Sequence, residues 1–272
     1  MRNVPYAVGG AVALALLVGA LYSLRTAHPP ETVERSLPST QAAPTPAPAV
    51  SVPPAHYPVD AKLAGPGSSQ PFDLQSALAD LFGLRTVEST FRLEEFPRRL
   101  VATVDNLGRS RASAMLWPLV PTAGRFTVDQ RDGSAFIGAD NGLRYAPYVL
   151  LLETVDLRRL AALYVRIYPS LQRAYEELGY PKGYFNDRLV EVIDQMLATP
   201  DADMPLQVQL PALNSDVHPQ RPWVLYQFED PSLESLSSGQ KILLRMGPVN
   251  ARRVKAKLIE FRRLVTVPSP KR

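Results

Sequence analysis

The sequence predicts a mainly α protein: a single multi-helix domain with one or two small β-hairpins, preceded by a transmembrane helix and a Pro/Ala-rich spacer. Three observations carry this. Apolar residues recur at helical spacing through most of the chain after Phe72. An uncharged apolar run of 21 residues, Val4 to Leu24, stands near the N-terminus. Between the two, eleven prolines and eight alanines crowd the stretch from Thr26 to Pro71. Residues 1–25, 26–71, 72–267 and 268–272 are therefore read as anchor, disordered spacer, helical domain and tail.

The apolar run, "VPYAVGGAVALALLVGALYSL", is bounded by Arg2 and Arg25. As a helix it would reach about 31 Å, enough to cross the hydrocarbon core of a bilayer. Tyr6 and Tyr22 fall near its ends, where aromatic side chains suit the membrane interface. The small residues of "VGA", Val18 to Ala20, offer a competing reading as a signal-peptide cleavage site. The apolar run continues past them to Leu24, however, and only one arginine precedes it, so a retained anchor is favoured. Arg2 and Arg25 nearly balance and give the positive-inside rule little to act on; the long segment that follows makes N-terminus-in the default. That places a single-pass protein in a bacterial inner membrane with its domain in the periplasm. Prolines fix φ and remove donors, so the spacer should be extended and semi-rigid, at most about 3.1 Å per residue.

Composition excludes several chemistries. With no cysteine in the chain there are no disulfides, thiolate nucleophiles or cysteine zinc ligands. The three histidines are His28 and His56 in the spacer and His218 in a loop, which argues against a serine–histidine triad or a multi-histidine metal site. No Gly-x-Ser-x-Gly, Walker-type loop or Gly-x-Gly-x-x-Gly occurs. No catalytic, cofactor or metal ligand is expected.

The domain opens with "FDLQSALADLFG", a helix with Asp73 as N-cap and Gly83 as stop. In "FPRRLVATVDNLG" Pro97 takes the first turn, and Leu100, Val101, Val104 and Leu107 form an apolar stripe. "GRFTVDQRDGSAFIG" reads as a hairpin about Asp132-Gly133. "YAPYVLLLETVD" reads as a buried helix opening at Pro147.

Leu160, Tyr164, Tyr168, Leu171, Tyr175 and Leu178 recur every three or four residues as a core stripe, with a kink or tight break expected at Pro169. Tyr164 and Tyr175 should be buried, each hydroxyl bonded. Gly179 and Pro181 end the helix, and Asn186 is expected to cap the next, with Phe185 stapled onto Val190. That helix buries Leu189, Val190, Ile193, Met196 and Leu197. Glu176 and Glu177 fall off the stripe, where Arg173 can pair with Glu177. They read as a solvated face and not as a catalytic carboxylate pair, which needs one desolvated member.

"PLQVQL" and "WVLYQF" alternate like strands and can pair across a long twelve-residue connection. Asp230-Pro231 starts a helix, Ser237 and Gln240 form a capping box, and Gly247-Pro248 closes that helix.

Five segments carry a family likeness: "FPRRLVATVDNL", "RYAPYV", "AYEELGYP", "FNDRLVEVIDQMLATP" and "FEDPSLESLSSGQKILLRMGPVNARRVKAKL". Through them the chain resembles the bacterial family known as domain of unknown function 3014, over nearly the whole folded part. The resemblance implies an N-terminal membrane helix, a low-complexity spacer and a helical domain with no assigned activity. It brings no catalytic residues, and the "PALNSDVHPQRP" loop is longer than the family pattern suggests.

Charge singles out the last helix. Residues 72–240 hold 16 basic and 22 acidic side chains, whereas residues 241–272 hold ten basic and one acidic. After Pro248, Ala251, Val254, Leu258, Phe261 and Val265 share one face, and Arg252, Lys255, Arg262 and Arg263 flank or oppose it. Three readings stay open: the cations meet the domain's own acidic surface, recruit an anionic partner (membrane phosphate or acidic protein), or bind nucleic acid, which has no recognition motif behind it. The leading functional expectation is a non-enzymatic, membrane-anchored domain that binds an envelope partner through these four residues. The rival is an envelope enzyme acting on glycan or peptide through Glu153, Glu176 or Glu177.

Overall fold

Helical periodicity and capping chemistry agree along most of the domain, and they place nine helices and one small sheet among the described residues. A computed structural model describes residues 54–65, 72–202, 205–211 and 221–266. The expected anchor at Val4–Leu24 lies outside them. No helix among the described residues is long and apolar enough to cross a membrane.

The helices are α1 (Leu74–Phe82), α2 (Leu84–Thr90), α3 (Phe96–Leu107), α4 (Asn141–Thr154), α5 (Leu157–Glu177), α6 (Phe185–Leu197), α7 (Pro231–Glu234), α8 (Ser238–Arg245) and α9 (Pro248–Val265). Their ends follow the sequence closely. The carboxylates of Asp73 and Asp230 accept the N–H of Ser76 and Ser232 at 2.8 Å, and Ser237 and Gln240 form the full capping box. At the end of α5, Gly179 N–H reaches Glu176 O and Tyr180 N–H reaches Tyr175 O, the two bonds of a Schellman motif about the positive φ of Gly179.

α9 is the centre of the packing: its apolar face meets α4, α5, α6 and α8, while α3 packs on α5 and α6. Val254, Leu258, Phe261 and Val265 are buried there, as their spacing predicts. Removing a side chain such as Phe261 from water contributes about 1.5–3 kcal/mol.

Four strands, β1 (Val128–Arg131), β2 (Ser134–Ile137), β3 (Gln207–Gln209) and β4 (Gln227–Phe228), form one antiparallel sheet in the order β1-β2-β3-β4. The β1–β2 turn holds Asp132 and Gly133 both at positive φ, as a two-residue type I′ hairpin requires. The two expected hairpins are therefore joined: Ala135 pairs with Val208 across the helices α4 to α6 that separate them in sequence. A second core of Phe126, Ile137, Leu206, Val208, Phe228 and Leu244 seals this sheet onto α8.

Several expectations are corrected. α4 opens at Asn141 and runs through Pro147; the carbonyl deprived of its donor belongs to Leu143, on the solvent side, where water can serve it. α5 likewise continues without a break through the exposed Pro169. Leu178 is exposed, and Tyr168 and Leu160 are only partly buried. Arg173 and Glu177 do not pair; Gln172 donates to Glu176 at 2.9 Å instead. The "WVLYQF" strand begins only at Gln227, because Pro222–Val224 forms a 3-10 turn. Residues 54–65, assigned by composition to the spacer, pack on the domain, with Tyr57, Val59, Leu63 and Ala64 against the core.

Candidate functional site

The four basic residues singled out on α9 divide into two pairs. Lys255 and Arg262 turn inward. Lys255 Nζ donates to the Thr199 carbonyl at 2.6 Å, and Arg262 makes a two-pronged contact with Asp194, Nε to Oδ1 at 2.6 Å and Nη2 to Oδ2 at 2.8 Å. The Asp194 hydrogen bonds raise the Arg262 pKa above its usual value. These contacts bind α9 to α6 and to Thr199, two residues beyond its end. Arg253 and Lys257 are also engaged, with Glu153 at 3.5 Å and Glu260 at 3.7 Å.

Arg252 and Arg263 point to solvent, and neither has an ion-pair partner among the described residues. They belong to an outer stripe, Val249, Arg252, Ala256, Ile259 and Arg263, spaced three, four, three, four. That spacing keeps one narrow line along a helix surface. Val249 is 53% and Ile259 41% exposed. The stripe thus presents apolar side chains between two arginines unpaired among the described residues, their backbone positions about 16 Å apart at helical rise. Beside its start lies a cleft of about 270 Å³ between the end of α6, α8 and α9, lined by Thr199, Asp201, Leu206, Leu243, Arg252 and Lys255.

The candidate carboxylates are dispersed. Glu153 lies on α4 beside Arg253, while Glu176 and Glu177 are exposed at the end of α5. None of them lines this cleft or the one beside Tyr175 and Lys182.

Among the described residues one carboxylate is buried, that of Asp105, 3% exposed on α3. It accepts from Arg188 Nε at 3.0 Å and Arg109 Nη2 at 2.6 Å, and Tyr180 Oη stands 3.4 Å away. Arg188 also donates to the Asp105 carbonyl and pairs with Glu191 at 2.8 Å. Two arginines balance two carboxylates, and each oxygen of Asp105 has a guanidinium donor. Such a network locks α3 to α6. Gly108 makes the approach feasible, since a Cβ there would come within 2.7 Å of Arg188 Nη2. The sequence carried a signal: Asp105 stands four residues after the buried Val101, inside the apolar stripe.

Asn186 does not cap α6; Tyr184 occupies that position without a side-chain cap. Asn186 is instead fully buried, accepting from Tyr164 Oη at 2.8 Å and donating to the carbonyls of Val265 at 3.0 Å and Tyr57 at 2.8 Å. Its neighbour Asp187 accepts the N–H groups of His56 and Tyr57. No local signal in the sequence marked this pair, because its partners lie between 22 and 131 residues away. Tyr175 is buried and stacked on Tyr180 at 4.5 Å, but its hydroxyl bonds to no described group. It lines a second cleft of about 270 Å³ with Pro54, Lys182, Asp187, Arg188 and Glu191.

A family model described as a protein of unknown function (DUF3014) matches residues 96–262, more than half of the chain. The chain belongs to that family. No curated protein and no solved structure matches it. The matched stretch runs from the start of α3 to Arg262 in α9, so it holds the Asp105 network, the Asn186–Asp187 pair and most of the outer stripe.

Proposed function

We propose that the chain is a membrane-tethered protein of the bacterial cell envelope whose helical domain binds an anionic envelope partner and performs no catalysis. The observation that carries this reading is the outer stripe of α9. Lys255 and Arg262 are consumed by the fold, whereas Arg252 and Arg263, exposed on either side of Ile259, have no ion-pair partner among the described residues. Free guanidinium groups with apolar side chains between them suit phosphate headgroups above an acyl boundary, or an acidic protein face. The anchor read at Val4–Leu24 would hold the domain near the first of these, raising its local concentration.

Residues 54–272 should bind vesicles containing phosphatidylglycerol at low salt. Binding should weaken above about 0.1 M salt, where the Debye length falls to about 10 Å. Equal binding to neutral phosphatidylcholine vesicles, or none to anionic ones, contradicts the assignment of the surface. The tether is tested separately. The full chain should fractionate with membranes and retain its N-terminus, whereas a soluble form beginning near Leu21 would remove the anchor.

A further inference from the structure

Residues 54–65 meet the domain much as a short peptide ligand meets a receptor. Their only regular element is the 3-10 turn Ala61–Ala64, and none of their side chains is fully buried. Side chains of the domain hold their backbone. The Asp187 carboxylate accepts the N–H of His56 at 2.9 Å and of Tyr57 at 2.7 Å, and Asn186 Nδ2 donates to the Tyr57 carbonyl at 2.8 Å. One residue is thereby read through both its backbone groups. Its ring lies 5.7 Å from the Arg262 guanidinium carbon, and Val59 packs at the margin of the core.

Part of the groove is held by bonds that do not involve its occupant. Of the three bonds of the Asn186 side chain, two go to Tyr164 and Val265 of the domain and one to the segment. Asp187 stands in the first turn of α6, where the helix dipole stabilises a carboxylate with or without a guest. Beyond Pro54 the groove runs on into the cleft flanked by Lys182, Arg188 and Glu191. Tyr164, Asn186, Asp187 and Arg262 all lie within the family match at 96–262, while residues 54–65 lie outside it.

We propose that the groove between α5, α6 and the end of α9 is a peptide-recognition site. It takes an extended segment with an aromatic residue followed two positions later by an aliphatic one. Tyr57 and Val59 supply that pattern in cis, and a segment of the same chemistry on a partner protein exchanges with them. The chain's own segment acts as a resident competitor at an effective concentration in the millimolar range, so a partner binds only when it overcomes or bypasses that occupancy. The site is separate from the outer stripe of α9, and either can fail alone.

The test uses the full chain in detergent and a fluorescent peptide of residues 54–65, "PAHYPVDAKLAG", followed by anisotropy. Replacing Tyr57→Ser and Val59→Ser together should empty the groove and tighten peptide binding by about tenfold or more over wild type. Adding Asp187→Ala should abolish the gain. A Tyr57→Ser/Val59→Ser chain that keeps its circular dichroism yet binds no peptide overturns the proposal. So does a wild-type chain found to be a dimer with these segments exchanged, which would make a second copy the occupant. Hydrogen exchange on the wild type decides the case if the variants unfold. The amides of His56 and Tyr57 should exchange about 100-fold faster than those of α6, as for a segment that opens by itself. Equal protection would make the segment part of the cooperative core and overturn the proposal.

Discussion

Tyr164 and Asn186 show what a single buried pair contributes. The Tyr164 hydroxyl donates to Asn186 Oδ1 at 2.8 Å, both residues being buried. Tyr164→Phe should therefore cost about 1–3 kcal/mol, because it strands an acceptor in the core; denaturant unfolding measures this. Burial pushes Tyr168 and Tyr175 up to about 12 and raises Tyr164 well above its ordinary 10.0. Their unfolded forms ionise first, so this contribution is whole below about pH 10 and is lost as pH rises towards 12. The thermal midpoint should accordingly fall steeply across that window. Lys241, 3% exposed, donates to Glu234 Oε1 at 2.7 Å, and Glu234 Oε2 also accepts from Phe228 N. Glu234→Ala should cost about 3–5 kcal/mol by leaving a buried ammonium without its counter-ion. Sequence periodicity showed Tyr164 on a core face, but a one-dimensional pattern has no term for the Asn186 it meets.

Helix ends were legible because caps are local. Asp73, Asp230, Ser237 and Gly179 each act within three or four residues of the backbone they satisfy. Prolines misled the reading because their cost depends on which side of the helix loses its bond, and Pro147 faces solvent. The β1–β2 hairpin was legible from Asp132-Gly133, whereas its joining to β3 and β4 depends on contacts across three helices. Gly133→Ala should destabilise the domain by about 1–2 kcal/mol, since φ stands at 79° there. Thermal unfolding of that variant against an Ala135→Gly control reads the turn separately from the strand. The basic helix was legible as a helix and as a charge cluster. Which cations stay free was not, because Asp194 and the Thr199 carbonyl lie in another element.

Across the whole molecule charge is segregated by position in the chain: residues 72–240 carry a net −6 and residues 241–272 a net +9. Part of this difference is neutralised within the domain, where Arg262 meets Asp194 at the surface and Lys241 meets Glu234 in the interior. Arg252 and Arg263 carry a further part onto the outer stripe of α9, and on the proposed reading inner and outer cations have different tasks. The most direct measurement compares two double variants of residues 54–272, Arg252→Gln/Arg263→Gln and Lys255→Gln/Arg262→Gln, by thermal unfolding and by sedimentation with anionic vesicles at low salt. The first should keep its thermal midpoint and lose vesicle binding, while the second should lose stability. Its loss should be at least about 1 kcal/mol for the Thr199 and Asp194 contacts combined. Loss of stability with unchanged vesicle binding in the Arg252→Gln/Arg263→Gln variant would contradict this reading, and α9 would then serve its own fold alone.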